Sequence, residues 1–255
     1  MAPGEAAEEL ALFFNNISQE YEPLQMEQIP TTFAREIEPL SNGEVAKMLS
    51  ECKKSKAKVP GDINSELYSI YHGQLSTPIT DIFNTIIIRT KKWLSLWKQE
   101  YVTVILKGNG LPENPGECRN ISCTNFLSKL FERTVLKWAR QEVTPKLNQY
   151  GGEPGASATH LLISVLDYIF EALEDNRTSV VLSAIGFSKA FNSLEHSACL
   201  NTFAKRGAST KVLQLLAAFL MGRSMTVRVG TTWSQSKAVN AGHRKEVSLD
   251  VIYLT

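Results

Sequence analysis

The spacing of apolar residues along the chain predicts a series of amphipathic helices. In "SNGEVAKMLSEC", residues 41–52, apolar side chains recur every three or four positions, and Ser41 with Glu44 has the spacing of a capping box. The same periodicity predicts five more helices: one led by Thr77 and Pro78, one from Asn125 to about Val143, one through Leu161 to Leu173, and two over residues 193–206 and 211–221. Each can bury one apolar face against a neighbour.

Other segments have the character of β-strands. Residues 101–123, "YVTVILKGNGLPENPGECRNISC", place a Gly-, Pro- and Asn-rich turn between two extended segments, which predicts a β-hairpin with a long tip. "MTVRVG" at 225–230 and "SKAVNAG" at 236–242 form a second candidate pair. The apolar run "VVLSAI" predicts a buried strand over 180–186 that ends at Gly186. Because helices and strands mix without regular βαβ alternation, the predicted fold class is α+β.

Composition adds little beyond a soluble globular class. The 255 residues, 43% hydrophobic and 21% charged, suffice for one large domain or two small ones. A net charge of +1 neither favours nor excludes a nucleic-acid partner. The longest apolar run, "VLQLLAAFLM", is too short to cross a bilayer, and the acidic start "MAPGEAAEEL" does not have the order of a signal peptide. We therefore expect a cytoplasmic or nuclear protein that makes no membrane contact.

Metal and nucleophile motifs are weak. The cysteines, Cys52, Cys118, Cys123 and Cys199, form no C-x-x-C pair and the histidines are scattered, so buried or half-buried free thiols are favoured over a zinc site. Ser193, Glu195 and His196 would occupy helix positions that face apart, which argues against a catalytic triad.

Several basic segments admit two interpretations. Four lysines, Lys53, Lys54, Lys56 and Lys58, could contact a phosphate backbone or be solvated charge on a loop. "KKWLSLWK", residues 91–98, could stack bases, although tryptophans at this spacing more often anchor a helix in a core. Lys107 and Arg119, on opposite arms of the predicted hairpin, could clamp a triphosphate, but two cations on a hairpin are not distinctive by themselves.

Taken in order, seven stretches are more informative than any one alone. They are "KSKAKVPGDI", "PITDIFNTI", "WKQEYVTVILK", "RNISCTNFLSKLFE", "NQYGGEPGASATHLL", "FSKAF" and "FLMGRSMTVRVGTTWS". Over roughly residues 10–242 their order and spacing resemble the reverse transcriptases, that is RNA-directed DNA polymerases, of non-LTR retrotransposons.

The resemblance implies a right-hand polymerase fold with fingers, an incomplete palm and no thumb. On this basis residues 1–40 are an N-terminal extension, 41–150 a fingers-like region and 151–242 a partial palm.

The resemblance also implies roles for individual residues. Lys107 and Arg119 would grip the phosphates of an incoming nucleotide, and Phe191 would be the steric gate that senses the 2′ position. The lysine loop from Lys53 to Lys58 would lie toward the template, so the implied partner is an RNA/DNA template-primer.

The catalytic metal ligands of the family are not in place. Such polymerases hold two Mg²⁺ ions, which require hard oxygen ligands, on one aspartate at the end of the first palm strand and two more in a later hairpin. Here the first position is Gly186, Asn192 occupies a second position that is often acidic, and the later hairpin lies beyond the chain. Because catalytic groups that act together fail together, we expect no bound Mg²⁺ and no polymerisation.

The C-terminal residues 243–255 have a separate explanation. After "VNAG" the family continues roughly "VPQGSVLG", whereas this chain has "HRKEVSLDVIYLT". A coding sequence for QGSVLGCYLFN, read without its first base, translates as KEVSLDVIYLT, the residues from Lys245 to Thr255. We predict that this tail is an out-of-frame translation, so Asp250 is not a recruited ligand.

Three functions stay open at this point. The first is a degenerate reverse-transcriptase remnant without catalysis, and the second is a domesticated nucleic-acid-binding module. The third is an interaction protein without a ligand. Gene decay and an error in the coding frame would produce the same sequence.

Overall fold

The computed structural model describes residues 2–52, 59–106, 115, 118–144, 148–151, 155–174, 179–186 and 192–242. The α-helices are α1 Pro3–Gln19, α2 Asn42–Ser50, α3 Ser65–Ile70, α4 His72–Asn84, α5 Phe126–Glu142, α6 Ala158–Glu174, α7 His196–Lys205 and α8 Thr210–Leu220. The strands are β1 Gln99–Leu106, β2 Cys118–Cys123, β3 Arg223–Val229, β4 Thr232–Trp233 and β5 Lys237–Val239. Helices and strands are mixed, as the α+β prediction expected. Among the helices so described, none has both the length and the apolar character of a membrane span.

Most helices form where the sequence pattern places them. At α2 the Ser41 hydroxyl accepts a hydrogen bond from the Glu44 amide at 3.2 Å, and the Glu44 carboxylate accepts one from the Ser41 amide at 2.9 Å, which confirms the capping box. Asn125 caps α5, where its side chain accepts from the Leu127 amide at 3.0 Å. The later helices are confirmed as α6, α7 and α8, although α7 begins at His196 rather than at residue 193.

The helix predicted to begin at Thr77 and Pro78 begins earlier, at His72, and Pro78 lies in its interior. Proline has no amide hydrogen, so one backbone bond is lost at this position. The Thr80 hydroxyl donates to the Ser76 carbonyl at 2.7 Å, and Phe83 is fully buried one turn later. Tertiary packing therefore carries the helix through the proline.

Helix α1 lies in the segment predicted to be an extension. Pro3 occupies the first turn with Glu5, and Ala7, Ala11 and Phe14 repeat along the buried face. This face packs on the sheet in a small apolar cluster with Val102, Met225, Val227 and Cys118.

The sheet joins strands that are distant in sequence. Its order is β2-β1-β3-β4, with β5 also paired to β3. Strand β1 pairs antiparallel with β2, which confirms the predicted hairpin, and parallel with β3. Strands β4 and β5 both pair antiparallel with β3, so "MTVRVG" and "SKAVNAG" do form a pair.

The main core is helical. It is built by α2, α4, α5, α7 and α8 together with the segment 91–98, and its largest fully buried side chains include Phe83, Phe131, Phe203 and Phe219. Trp93 and Trp97 are 4% and 2% exposed, and the Trp93 indole nitrogen donates to the Leu215 carbonyl at 3.2 Å. These tryptophans are core anchors and are not available to stack bases.

The predicted strand over 180–186 is wrong. Residues 181–186 have no regular secondary structure, and Val181, Leu182 and Ile185 are 86%, 72% and 82% exposed. A strand is held by main-chain bonds to a neighbour, and in the described sheet β1 lies between β2 and β3 while the other edge of β3 pairs with β4 and β5. No pairing in this sheet includes the segment, so its apolar character alone does not make it a strand.

Candidate nucleic-acid interface

Of the seven predicted site residues, all except Arg119 lie outside the described residues. The lysine loop from Lys53 to Lys58 does so completely, and so do Lys107 and Phe191. The backbone of Arg119 is described: it belongs to β2 and pairs with Ile105 of β1. The structure thus places Arg119 on the hairpin arm that the sequence predicted, and its phosphate-binding role stays a prediction.

Gly186, the position where a metal carboxylate was expected, is exposed at the end of the irregular segment. A Cβ added here would meet no heavy atom within 4 Å, so the backbone has room for a side chain. In the part of the chain that the structure describes, no group of three or more His, Cys, Asp or Glu side chains could hold a metal ion. These residues do not fit a two-magnesium site, and we derive no catalytic step through one.

A polar cavity of about 40 Å³ lies between α1 and the sheet. Glu100, Asn120, Ser122 and Asn192 line it. The carboxylate of Glu100 already accepts a hydrogen bond from Arg223 Nε at 3.0 Å. Because this acid is neutralised by a buried guanidinium, the cavity does not resemble a cation site.

The Glu100–Arg223 pair joins the starts of β1 and β3. The Arg223 Nη2 atom also donates to Glu100, and the guanidinium lies 4.4 Å from the centre of the Phe219 ring. Nearby, the Lys98 ammonium donates to the Met221 carbonyl at 2.8 Å, and burial lowers the pKa of Lys98. These buried polar contacts join β1 to β3 on the face that α1 covers, and the charges of Glu100 and Arg223 are paired with each other there.

The opposite face of the sheet, here called the open face, is defined by strand pairing. Side chains alternate along a strand, so Tyr101, Thr103 and Ile105 of β1 lie on the face opposite Glu100 and Val102. Thr226 and Arg228 of β3 pair with Tyr101 and Thr103, and Trp233 of β4 pairs with Arg228. The register therefore brings residues from three strands, more than 120 residues apart in sequence, onto one surface.

Three side chains of the open face contact one another. The rings of Tyr101 and Trp233 pack edge to face, with their centres 5.4 Å apart. The Arg228 guanidinium lies 5.5 Å from the centre of the Trp233 ring. Arg228 Nε donates to the Gly230 carbonyl at 2.8 Å, which holds the guanidinium over the turn between β3 and β4. Sequence reasoning missed this cluster because its members come together only through non-local pairing.

The residues around His196 have a structural role. The His196 ring is buried and its Nε2 lies 3.0 Å from the Gly242 carbonyl, while the Ser197 hydroxyl donates to Glu195. Gly242 has φ +83°, and a Cβ there would lie 2.6 Å from the Asn192 carbonyl oxygen, so only glycine fits this turn. Burial raises the pKa of the nearby Cys199 to about 12, which keeps this free thiol protonated.

The chain is similar to one curated protein of a transposon. It is 22% identical over 233 residues, 90% of this chain, to the "Probable RNA-directed DNA polymerase from transposon BS" of Drosophila melanogaster. The match spans about a quarter of that relative, 25% of its length. No protein-family model matches the chain. The similarity supports a distant relationship to reverse transcriptases.

Proposed function

We propose that this chain derives from a retrotransposon reverse transcriptase and no longer polymerises nucleotides. In this proposal the β1–β2 hairpin and the helical core around α2, α4 and α5 are the fingers. Helices α6 to α8 and strands β3 to β5 belong to a partial palm of a right-hand polymerase fold.

One observation carries the proposal: a glycine follows "VVLSAI" and precedes "FSKAF". In the reverse transcriptases that the chain resembles, a metal-binding aspartate stands at this position. A glycine cannot coordinate Mg²⁺, and loss of one member of a catalytic unit costs roughly four to six orders of magnitude in rate.

A primer-extension assay tests the loss of polymerisation. The full chain is incubated with an oligo(dT) primer on a poly(rA) template, Mg²⁺ and dTTP, beside an active retroviral reverse transcriptase. We expect no extension above the level of a heat-denatured sample. Extension that disappears when Mg²⁺ is chelated would contradict the proposal.

Sequencing of the transcript and the locus, from the codon for Ala184 to well past that for Thr255, tests the origin of the defect. If the frame continues as a PQGS-like loop with aspartate at position 186, the printed chain is a misread part of an intact polymerase. If Gly186 and the tail are both present, the loss of catalysis lies in the gene.

We propose nucleic-acid binding without catalysis as the second function. The observation that favours it is the open face, where two aromatic rings and an arginine are grouped on a sheet. Filter binding of the full chain to an RNA–DNA primer-template at several salt concentrations tests it. Binding that weakens steeply with salt is expected if several phosphates are contacted.

A further inference from the structure

We propose that the open face binds single-stranded nucleic acid, with bases stacked on Tyr101 and Trp233 and a phosphate held by Arg228. The inference rests on the second function proposed above and specifies where and in what form the polynucleotide is bound. Of the predicted nucleotide contacts, Arg119 belongs to the same sheet, because its backbone pairs with Ile105 of the open face.

The first argument is the coverage of the two faces. Helix α1 packs on one face, where Glu8 pairs with Lys237 and accepts from the Gln235 amide at 2.9 Å. Among the described elements, no helix is packed on the other face. There Thr103 and Arg228 are exposed, Ile105 is 48% exposed, and Tyr101 and Trp233 are partly exposed. The aromatic pair is therefore open to a ligand without any rearrangement of the fold.

The second argument is the charge of this face. Its described strand side chains include the cation Arg228 and no aspartate or glutamate. The neutral polar members lie beside the aromatic pair: Gln99 Nε2 is 3.4 Å from the Thr226 hydroxyl, and the Ser224 hydroxyl is 3.5 Å from Gln99 Oε1. Described side chains that combine a cation with hydroxyl and amide groups, without a carboxylate among them, suit a polyanion whose bases also need hydrogen-bond partners.

The third argument distinguishes a single strand from a duplex. Every base presents a π-face that can stack on an aromatic side chain, but in a duplex these faces are already stacked. Duplex binding depends instead on several cations along the phosphate backbone, whereas the cluster described on this face groups two aromatic rings with a single cation, Arg228. Tyr101 and Trp233 are both partly exposed, and their ring planes are inclined at 81°, so the two rings offer bases surfaces of different orientation. The ligand of the open face is therefore a single strand with unpaired bases.

The test measures anisotropy of fluorescein-labelled, mixed-sequence 16-nucleotide RNA and DNA strands with the full chain. Tyr101→Ala and Trp233→Ala should each raise Kd by about 5- to 160-fold, the loss of stacking on one base. Tyr168→Ala is the matched control, because Tyr168 is an exposed tyrosine (62%) on α6, which is not part of the sheet, and should leave Kd unchanged. Arg228→Gln should reduce the salt slope of log Kobs by about 0.7, the effect of one phosphate contact on a single strand.

A conservative variant separates stacking from folding. Trp233→Phe keeps an aromatic ring, so its Kd should stay within a few-fold of that of the wild type. A base stacked on Trp233 should quench the fluorescence of this tryptophan, and Trp233→Phe should remove that part of the quenching. Far-UV circular dichroism and thermal unfolding identify any alanine variant that has lost the fold. If Trp233→Ala is such a variant, the binding measured with Trp233→Phe tests the stacking instead.

The outcomes are distinguishable. If the chain binds single strands but Tyr101→Ala and Trp233→Ala bind like Tyr168→Ala, this inference is overturned and the second function stands. If unlabelled duplex competes as well as unlabelled single strand, the assignment to unpaired bases is overturned. If the chain binds neither form, the second function and this inference fail together.

Discussion

Helices α5 and α6 are each 17 residues long, but their surroundings are opposite. The sequence of α6 has three charged residues against six in α5 and is the more apolar. Yet eight residues of α5 are buried, whereas of α6, all of which is described, only Ala172 is buried. Seven large apolar residues of α6 are at least 41% exposed: Leu161, Leu162, Ile163, Leu166, Tyr168, Phe170 and Leu173.

The difference shows that burial is decided by the neighbours of a helix. Helix α5 lies among α8 and the aromatic side chains of the core, where the Phe131 ring is 4.9 Å from Phe83 and 5.0 Å from Trp93. Helix α6 lies beside the irregular segment 180–182, with which it lines a groove. A helix that is apolar around most of its circumference is normally enclosed by other elements. The uncovered state of α6 is thus a property to test.

The largest expected effect is in the matched phenylalanines of the two helices. Phe131→Ala should lower the free energy of unfolding by about 3–5 kcal/mol, because it opens a cavity in a closely packed aromatic cluster. Phe170→Ala, where the side chain is 61% exposed, should change it by no more than about 0.5 kcal/mol. Urea titrations measure both. An equal loss for Phe170→Ala would mean that α6 is covered in solution.

The second largest effect on stability is expected from the removal of a buried carboxylate, compared with an exposed one. Glu100→Gln removes the negative partner of the buried Arg223 and should cost about 3 kcal/mol, because an uncompensated charge remains in the protein interior. The same change at the exposed Glu171 of α6 should leave the unfolding midpoint unchanged. If Glu100→Met with Arg223→Met restores the stability, the pair serves register rather than net stabilisation.

Local pattern predicted the helices of the core because their caps and apolar periods agree with their burial. It did not predict α1, although Pro3, Glu5 and the period of Ala7, Ala11 and Phe14 contained the signal. The open face was beyond local reasoning: Tyr101 and Trp233 meet only through the parallel pairing of β1 with β3. The strand predicted over 180–186 failed for the same reason, since an apolar run does not specify a pairing partner. Lys107 and Phe191 lie outside the described residues, so their roles stay predictions.

A third effect concerns solubility. The exposed apolar side chains of α6 form the kind of surface that promotes association between molecules. We therefore predict that the chain, expressed alone, is poorly soluble or only partly ordered in its C-terminal third. Leu162→Glu with Leu166→Glu on α6 should increase the monodisperse fraction in light scattering without a change in the unfolding midpoint. A wild-type chain that is already monodisperse and unfolds cooperatively would refute this.

Loss of the N-terminal cap should also destabilise the protein more at α5 than at α6, but by less than the core substitutions above. Asn125→Ala removes the cap of α5 and a hydrogen bond from Asn125 Nδ2 to Asp62 at 2.9 Å, at a cost of about 1 kcal/mol. At α6 the Ser157 hydroxyl accepts from the His160 amide at 3.3 Å. Ser157→Ala should cost only a few tenths of a kcal/mol, because an uncovered helix end can fray without disturbing the core. Hydrogen exchange of the first-turn amides compares the two helices directly.

The smallest effect is a pH dependence that has opposite signs at a covered and an uncovered carboxylate. Burial raises the pKa of Asp62, despite its bonds from the Phe126 and Ile63 amides, whereas bonds from Ser41 lower the pKa of the exposed Glu44. A raised folded pKa means that the native state holds the proton more tightly. The contribution of Asp62 is therefore full below its unfolded pKa and is lost as pH rises through the folded value.

For Glu44 the sign is reversed, so its contribution is present above the unfolded pKa and is lost as pH falls through the folded value. The stability difference between wild type and Asp62→Asn should thus fall from about pH 3 to about pH 7, while that between wild type and Glu44→Gln should rise. Urea midpoints at intervals across this range measure both differences. Two differences that change in the same direction would show that Asp62 is as well solvated as Glu44, and that the covered end of α5 is more open than its contacts indicate.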